Sequence, residues 1–180
     1  MTYYPPASGL PDPVMLSSIT DDIAVMAQMA GGTPGSQTWT ANLAIFVPVR
    51  LSQPRTYVKA WWVNGAAAAG NVDVGIYTLS GTTLSRVVAS TAEAQGTIST
   101  LQVAATFTTT TIGPGLYYLA LSGTSSTGTF WRASLQGTQL TRAAGVFTAS
   151  TSSPLPSSAT AAATAVSIIP VFGFSEQAAI

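Results

Sequence analysis

From Trp39 onward the chain alternates. Trp39, Ala41, Leu43, Ile45, Val47, Val49 and Leu51 fall on one side of an extended segment, Thr40, Asn42, Arg50 and Ser52 on the other, and Phe46 is out of step. A period of two is the spacing of a strand, whose successive side chains point to opposite faces, and a helix cannot gather this set on one side. The signature returns in RTYVKAWWVN (55–64), NVDVGIYTL (71–79), LSRVVAS (84–90), LQVAATF (101–107), LYYLAL (116–121), TFWRASL (129–135) and VSIIPVFGF (166–174). Turn signals separate them. SGT at 80–82 is one; GPG at 113–115 is another, with Pro114 and Gly115 suited to the central positions of a type II turn. Pro48 and Pro170 each remove a ladder donor, which places their strands at an edge or a bulge. The set predicts an all-β fold, an antiparallel jelly-roll β-sandwich of about eight strands, with Leu43, Ile45, Val74, Ile76, Leu101 and Val103 buried.

Two stretches depart from this pattern. Residues 1–36 open with YYPPASGLPDP, whose four prolines exclude a helix interior or a central strand. This region reads as an extended N-terminal arm and linker, leaving 37–180 as the sandwich domain. Within the arm, Thr20 suits an N-cap, Asp21 and Asp22 the first turn, and Ile23, Met26, Ala27 and Ala30 one helical face, so a short helix ending at Gly31 is expected. The second stretch, STSSPLPSSATAAATA (150–165), is low in complexity and lacks apolar periodicity. It reads as a mobile linker or as a second arm held by neighbours.

Composition narrows the chemistry. Charged residues make up 7% of the chain, and the six basic and six acidic ones cancel. A nucleic-acid binder needs a basic face, and so does a protein drawn to anionic lipid, so neither partner is expected. No apolar run reaches the length of a membrane-spanning helix, and MTYYPPASGLP lacks the features of an export signal, which points to synthesis in a cytoplasm. Cysteine and histidine are both absent, which removes the usual Ser–His and Cys–His nucleophilic pairs and the commonest metal ligands. No phosphate-binding glycine fingerprint occurs. Asp73 and Glu93 are the only acidic residues of the β region before Glu176, poor material for an acid/base pair. No enzyme activity, cofactor or metal is expected.

The stretch NGAAAAGNVDVGIY (64–77) holds the most specific question. Its four alanines, bracketed by Gly65 and Gly70, read as a loop, because so short a run does not nucleate helix. If strands 55–64 and 71–79 paired across that loop, Trp62 would face Asp73 and Val58 would face Tyr77. The outward face would then carry Trp62, Asp73 and Tyr77 around an open floor at Gly75, a platform for stacking sugars or for a protein contact. The plainer alternative covers Trp62 with an arm or loop and lets Asp73 cap a turn or meet Lys59 or an arginine. In the arm, Tyr3, Tyr4, Leu10 and Met15 combine apolar area with little charge and are candidate inter-subunit anchors.

VNGAAAAGNVDVGIYTLSGTTL, IGPGLYYLAL and the ending IPVFGF resemble β-sandwich domains of tailed-bacteriophage virion proteins, among them capsid decoration proteins, head fibres and tail-fibre tips. The resemblance covers roughly residues 44–135 and the last strand. It implies a structural subunit located in the virion and made in the host cytoplasm, with no catalytic residues. On that basis the chain is expected to be a non-enzymatic head decoration, cement or head-fibre protein anchored by its N-terminal arm. Its expected partners are other virion proteins, the major capsid protein first, and further copies of itself in a homo-oligomer such as a trimer. The alternative is a tail-fibre or baseplate tip that binds host surface glycan through exposed aromatics.

Overall fold

The computed structural model describes residues 16–17, 23–25, 35–133, 145–150, 153–163, 166 and 168–177. Every regular element among them is a strand. In chain order these are β1 (Leu16–Ser17), β2 (Ile23–Val25), β3 (Gly35–Thr38), β4 (Leu43–Leu51), β5 (Arg55–Tyr57) and β6 (Lys59–Val63). The middle of the chain adds β7 (Asn71–Ser80), β8 (Thr83–Ala89), β9 (Glu93–Ala94), β10 (Leu101–Val103), β11 (Thr110–Ile112) and β12 (Gly115–Gly123). The last third supplies β13 (Thr129–Ala133), β14 (Phe147–Ala149), β15 (Ser158–Thr160), β16 (Ala162–Ala163), β17 (Ile169–Pro170) and β18 (Phe172–Ser175). The fold is all-β and the strand pairings are antiparallel.

Two large sheets carry the architecture. The first has the order β1-β2-β18-β6-β10, and the second β15-β8-β7-β12-β4-β14-β16 with β9 added beside β7. Their facing sides meet in one core, where Trp62, Phe172 and Phe174 of the first sheet pack with Ile45, Val74, Ile76, Leu119 and Leu121 of the second. The second sheet also curls on itself. β15 pairs with β8 at one edge and β16 with β14 at the other, although only Ala161 separates β15 from β16. The backbone N–H of Ala161 donates to the carbonyl of Thr82 at 2.8 Å. The segment 153–163 therefore straps a nearly closed barrel. The inside of that barrel is a second, smaller core of Ala44, Phe46, Tyr77, Leu84, Tyr118, Ala120 and Leu155.

This second core explains the residue that broke the alternation. On β4, Ile45, Val47, Val49 and Leu51 face the inter-sheet core, while Ala44 and Phe46 face the barrel interior. Phe46 is fully buried, its ring edge-on to Tyr77 with centroids 5.0 Å apart. A strand covered on both faces needs no polar side. Pro48 sits where the sequence requires it: β14 pairs with β4 only as far as Phe46, so the missing proline donor falls on a locally open edge. Pro170 likewise lies in β17, an edge of the three-stranded sheet β17-β13-β3.

Several expectations are corrected. Ile23–Val25 is a strand paired to Phe172–Phe174, where a short helix was expected. The exposed backbone of β18 offers this segment ladder partners, and a helix that short lacks the length to compete. The arm boundary also moves. Gly35 and Ser36 belong to β3, paired with β13, and Ser36 Oγ accepts from the backbone N–H of Ala66 at 2.8 Å. Residues 155–163 of the low-complexity stretch are integral to the barrel. Strands 55–64 and 71–79 do not pair: β6 lies between β18 and β10, β7 between β8 and β12, and the alanine loop crosses from one sheet to the other. Leu101 is exposed and Val103 half-buried because β10 is the outer strand of its sheet, and Leu43 is half-buried; Ile45, Val74 and Ile76 are buried as expected. Gly115 opens β12 without a positive φ, so 113–115 is not a type II turn. The β7–β8 connection is a two-residue loop in which Gly81 has φ 59° and supplies the left-handed conformation.

Candidate functional site

Asp73, the one carboxylate in the described core, sits on β7 with Gly75 and Tyr77 along the barrel-facing side. Alternation fixes this arrangement: Val72, Val74 and Ile76 belong to the inter-sheet core, so the residues between them turn inward to the barrel. Asp73 is 1% exposed and both of its oxygens are occupied. Ser90 Oγ donates to Oδ1 at 2.8 Å, and the backbone N–H of Leu155 donates to Oδ2 at 2.9 Å. Ser90 Oγ in turn accepts from the N–H of Val74 at 3.2 Å.

The neighbouring residues grip the same stretch of strap. Arg86 Nη1 donates to the carbonyl of Leu155 at 2.7 Å, and its backbone N–H donates to the carbonyl of Ser157 at 2.9 Å. The Tyr77 hydroxyl donates to the carbonyl of Pro156. Arg86 stands opposite Tyr77 in the β7–β8 register, which brings the two polar ends together. The Leu155 side chain is buried against Gly75, where a Cβ would lie 3.1 Å from Leu155 Cδ1. The open floor read in the sequence exists, and the chain's own leucine fills it.

Burial raises the Asp73 carboxyl above its ordinary value of 3.8, against the lowering effects of the Ser90 and Leu155 hydrogen bonds and the Arg86 charge. Burial also raises the Tyr77 hydroxyl, which therefore stays a donor at physiological pH. The native state thus holds the Asp73 proton more tightly than the unfolded chain does. The stabilisation from Asp73 is fully present below pH 3.8 and declines as pH rises through the raised native value. Lowering pH from neutral toward 3.8 should raise the melting temperature of the wild type relative to Asp73→Asn, whose amide oxygen still accepts from Leu155 but does not titrate. Thermal denaturation of the two proteins across that range checks this; parallel curves would show that Asp73 titrates as it does in the unfolded chain.

Trp62, Asp73 and Tyr77 do not form a surface platform. All three are buried, and Trp62 lies in the inter-sheet core while Tyr77 lies inside the barrel. The physical reason is the placement of β6 and β7 in different sheets. Trp62 Nε1 donates to Asn64 Oδ1 at 2.9 Å, and Asn64 Nδ2 donates to Thr97 O and Gln102 Oε1, both at 2.9 Å. Glu93 serves another loop, accepting from the N–H groups of Ala105 and Thr106, each at 2.9 Å. Asp73 and Glu93 thus hold separate parts of the backbone. Tyr3, Tyr4, Leu10 and Met15 lie outside the described residues.

Arg86, Ser90 and Leu155 went unnoticed in the sequence. Scarcity of charge was the available signal, since one arginine and one aspartate within fourteen residues stand out in such a chain. Leu155 carried a signal too, as the sole large apolar residue in a run of Ser, Thr, Ala and Pro.

The alanine loop is fixed by its surroundings. The N–H groups of Ala67 and Ala69 donate to Thr129 Oγ1 and Gln95 Oε1, at 2.8 and 3.0 Å. Beside the strap lies a cleft of about 430 Å³ lined by Ala149, Pro156, Ala159 and neighbouring small neutral residues. Among the described residues no cluster of three or more His, Cys, Asp or Glu side chains is placed to hold a metal ion, no helix is long and apolar enough to cross a membrane, and no aromatic side chain is exposed. Comparison of the chain with protein-family models, with curated proteins and with solved structures finds no match.

Proposed function

We propose that the chain is a non-enzymatic structural subunit of a tailed-bacteriophage virion, a head decoration, cement or head-fibre protein, with a jelly-roll type of sandwich. The observation that carries this reading is the use made of its buried carboxylate: Asp73, Tyr77 and Arg86 all bind the main chain of the strap. The most chemically capable group of the interior acts as scaffolding. The sequence resemblance and the nearly uncharged, Thr- and Ser-rich composition support the same reading, since a subunit covered by neighbours needs little surface charge. In this reading the partners are the major capsid protein and further copies of the chain, in a homo-oligomer such as a trimer, and the N-terminal arm reaches between subunits.

The alternative is a fibre or baseplate tip that stacks host glycan on exposed aromatics; Trp62 and Tyr77, the aromatics that the sequence offered for it, are buried. The test is quantitative mass spectrometry of gradient-purified particles from the phage that encodes the chain. Copies in proportion to the capsid lattice are expected. A handful per particle would place the protein at a fibre or collar, and absence from particles would overturn the virion reading.

A further inference from the structure

The groups that hold the strap read its main chain. Asp73 takes the N–H of Leu155, Arg86 reaches the carbonyls of Leu155 and Ser157, and Tyr77 reaches the carbonyl of Pro156. One side chain is read, Leu155 seated over Gly75. Pro156 contributes a fixed φ and no N–H, so it presents its carbonyl without a competing donor. These contacts would be met by any extended segment that offers the same main-chain groups around a leucine followed by a proline.

The chain contains Leu-Pro twice. Leu155-Pro156 is preceded by Ser153-Pro154, and Leu10-Pro11 by Ser8-Gly9, so both read Ser-x-Leu-Pro. We propose that the clamp is a self-recognition site, and that the Leu10-Pro11 segment of a second copy binds it in the register of Leu155-Pro156 when the strap is displaced. Leu10 then takes the seat over Gly75, its N–H and carbonyl meet Asp73 and Arg86, and the carbonyl of Pro11 meets Tyr77. The resident strap competes in cis at high effective concentration, so free copies stay closed. Copies arrayed side by side bring arms to clamps at comparable effective concentration, and exchange links them. The proposal does not rest on the virion reading, and its test uses the isolated protein.

The full-length Leu155→Ala protein empties the seat while keeping the clamp. Sedimentation velocity should show Leu155→Ala forming a larger species than the wild type, and the double variant Leu155→Ala/Leu10→Ala lacking it. A fluorescent peptide with the sequence of residues 6–14 should bind the double variant. The same peptide with Leu10→Ala should bind about tenfold more weakly or worse, as expected for one buried leucine side chain. No binding, or binding indifferent to Leu10→Ala in the peptide or Asp73→Ala in the protein, overturns the proposal. So does peptide binding without any new species in Leu155→Ala, because the occupant is then not a second copy. If Leu155→Ala does not fold, the peptide is added in excess to the wild type and hydrogen exchange of the amides of 155 and 157–160 is followed. Faster exchange with this peptide alone supports the proposal, and unchanged exchange overturns it.

Discussion

Replacing Trp62 by alanine is expected to destabilise the protein by about 3–5 kcal/mol, the range for removing a large aromatic side chain from a close-packed core. Trp62 is fully buried between the sheets, where Phe172 lies directly opposite it on β18. Two losses combine. The apolar contacts of the ring vanish into a cavity, and Asn64 Oδ1 loses the indole N–H that satisfies it. Trp62→Phe should retain most of the first contribution and lose the second, and so fall between wild type and alanine. Urea unfolding with a common slope would give the values. A surface tryptophan would give a change within about 0.5 kcal/mol, so a result that small would restore the platform that the burial of Trp62 removes.

The second large effect is expected at Leu155. Leu155→Ala should lower stability by about 2–5 kcal/mol, the range for buried leucines, although 150–165 has the composition of a linker. The side chain is 1% exposed and is the strap's main apolar contribution to the barrel interior. Its loss should also loosen the backbone bonds it aligns, those to Asp73, Tyr77 and Arg86. Hydrogen exchange should therefore quicken at 155 and 157–160 before it does so in β7 or β12. Exchange that quickens equally in all strands would show that strap and barrel open together.

The period of two placed most strands of the domain, because alternation is a property of the strand itself. It could not say that a second core existed. Phe46 read as an exception only because a single buried face was assumed, and the covering of its other side depends on β15 and β16, which carry no apolar pattern. Trp62 and Asp73 were assigned to one face by adjacency in sequence, whereas the seven residues between their strands are enough to carry the chain from one sheet to the other. The importance of Asp73 was legible from the rarity of charge. Its partner was not, since the group it binds is a backbone amide 82 residues away, and a main-chain donor leaves no mark in a sequence. For Ile23–Val25 the local signals favoured helix, and a vacant ladder on β18 outweighed them.

The closing of the barrel has a consequence for keeping such a chain in solution. Proteins usually discourage stray sheet-to-sheet joining with lysines and other charges along exposed strands, and this one, with 7% charged residues, has few to place there. One strap of Ser, Ala and Thr covers β8 on one side and β14 on the other. A single ribbon of mostly small side chains thus removes two sticky margins, and its release would expose both together.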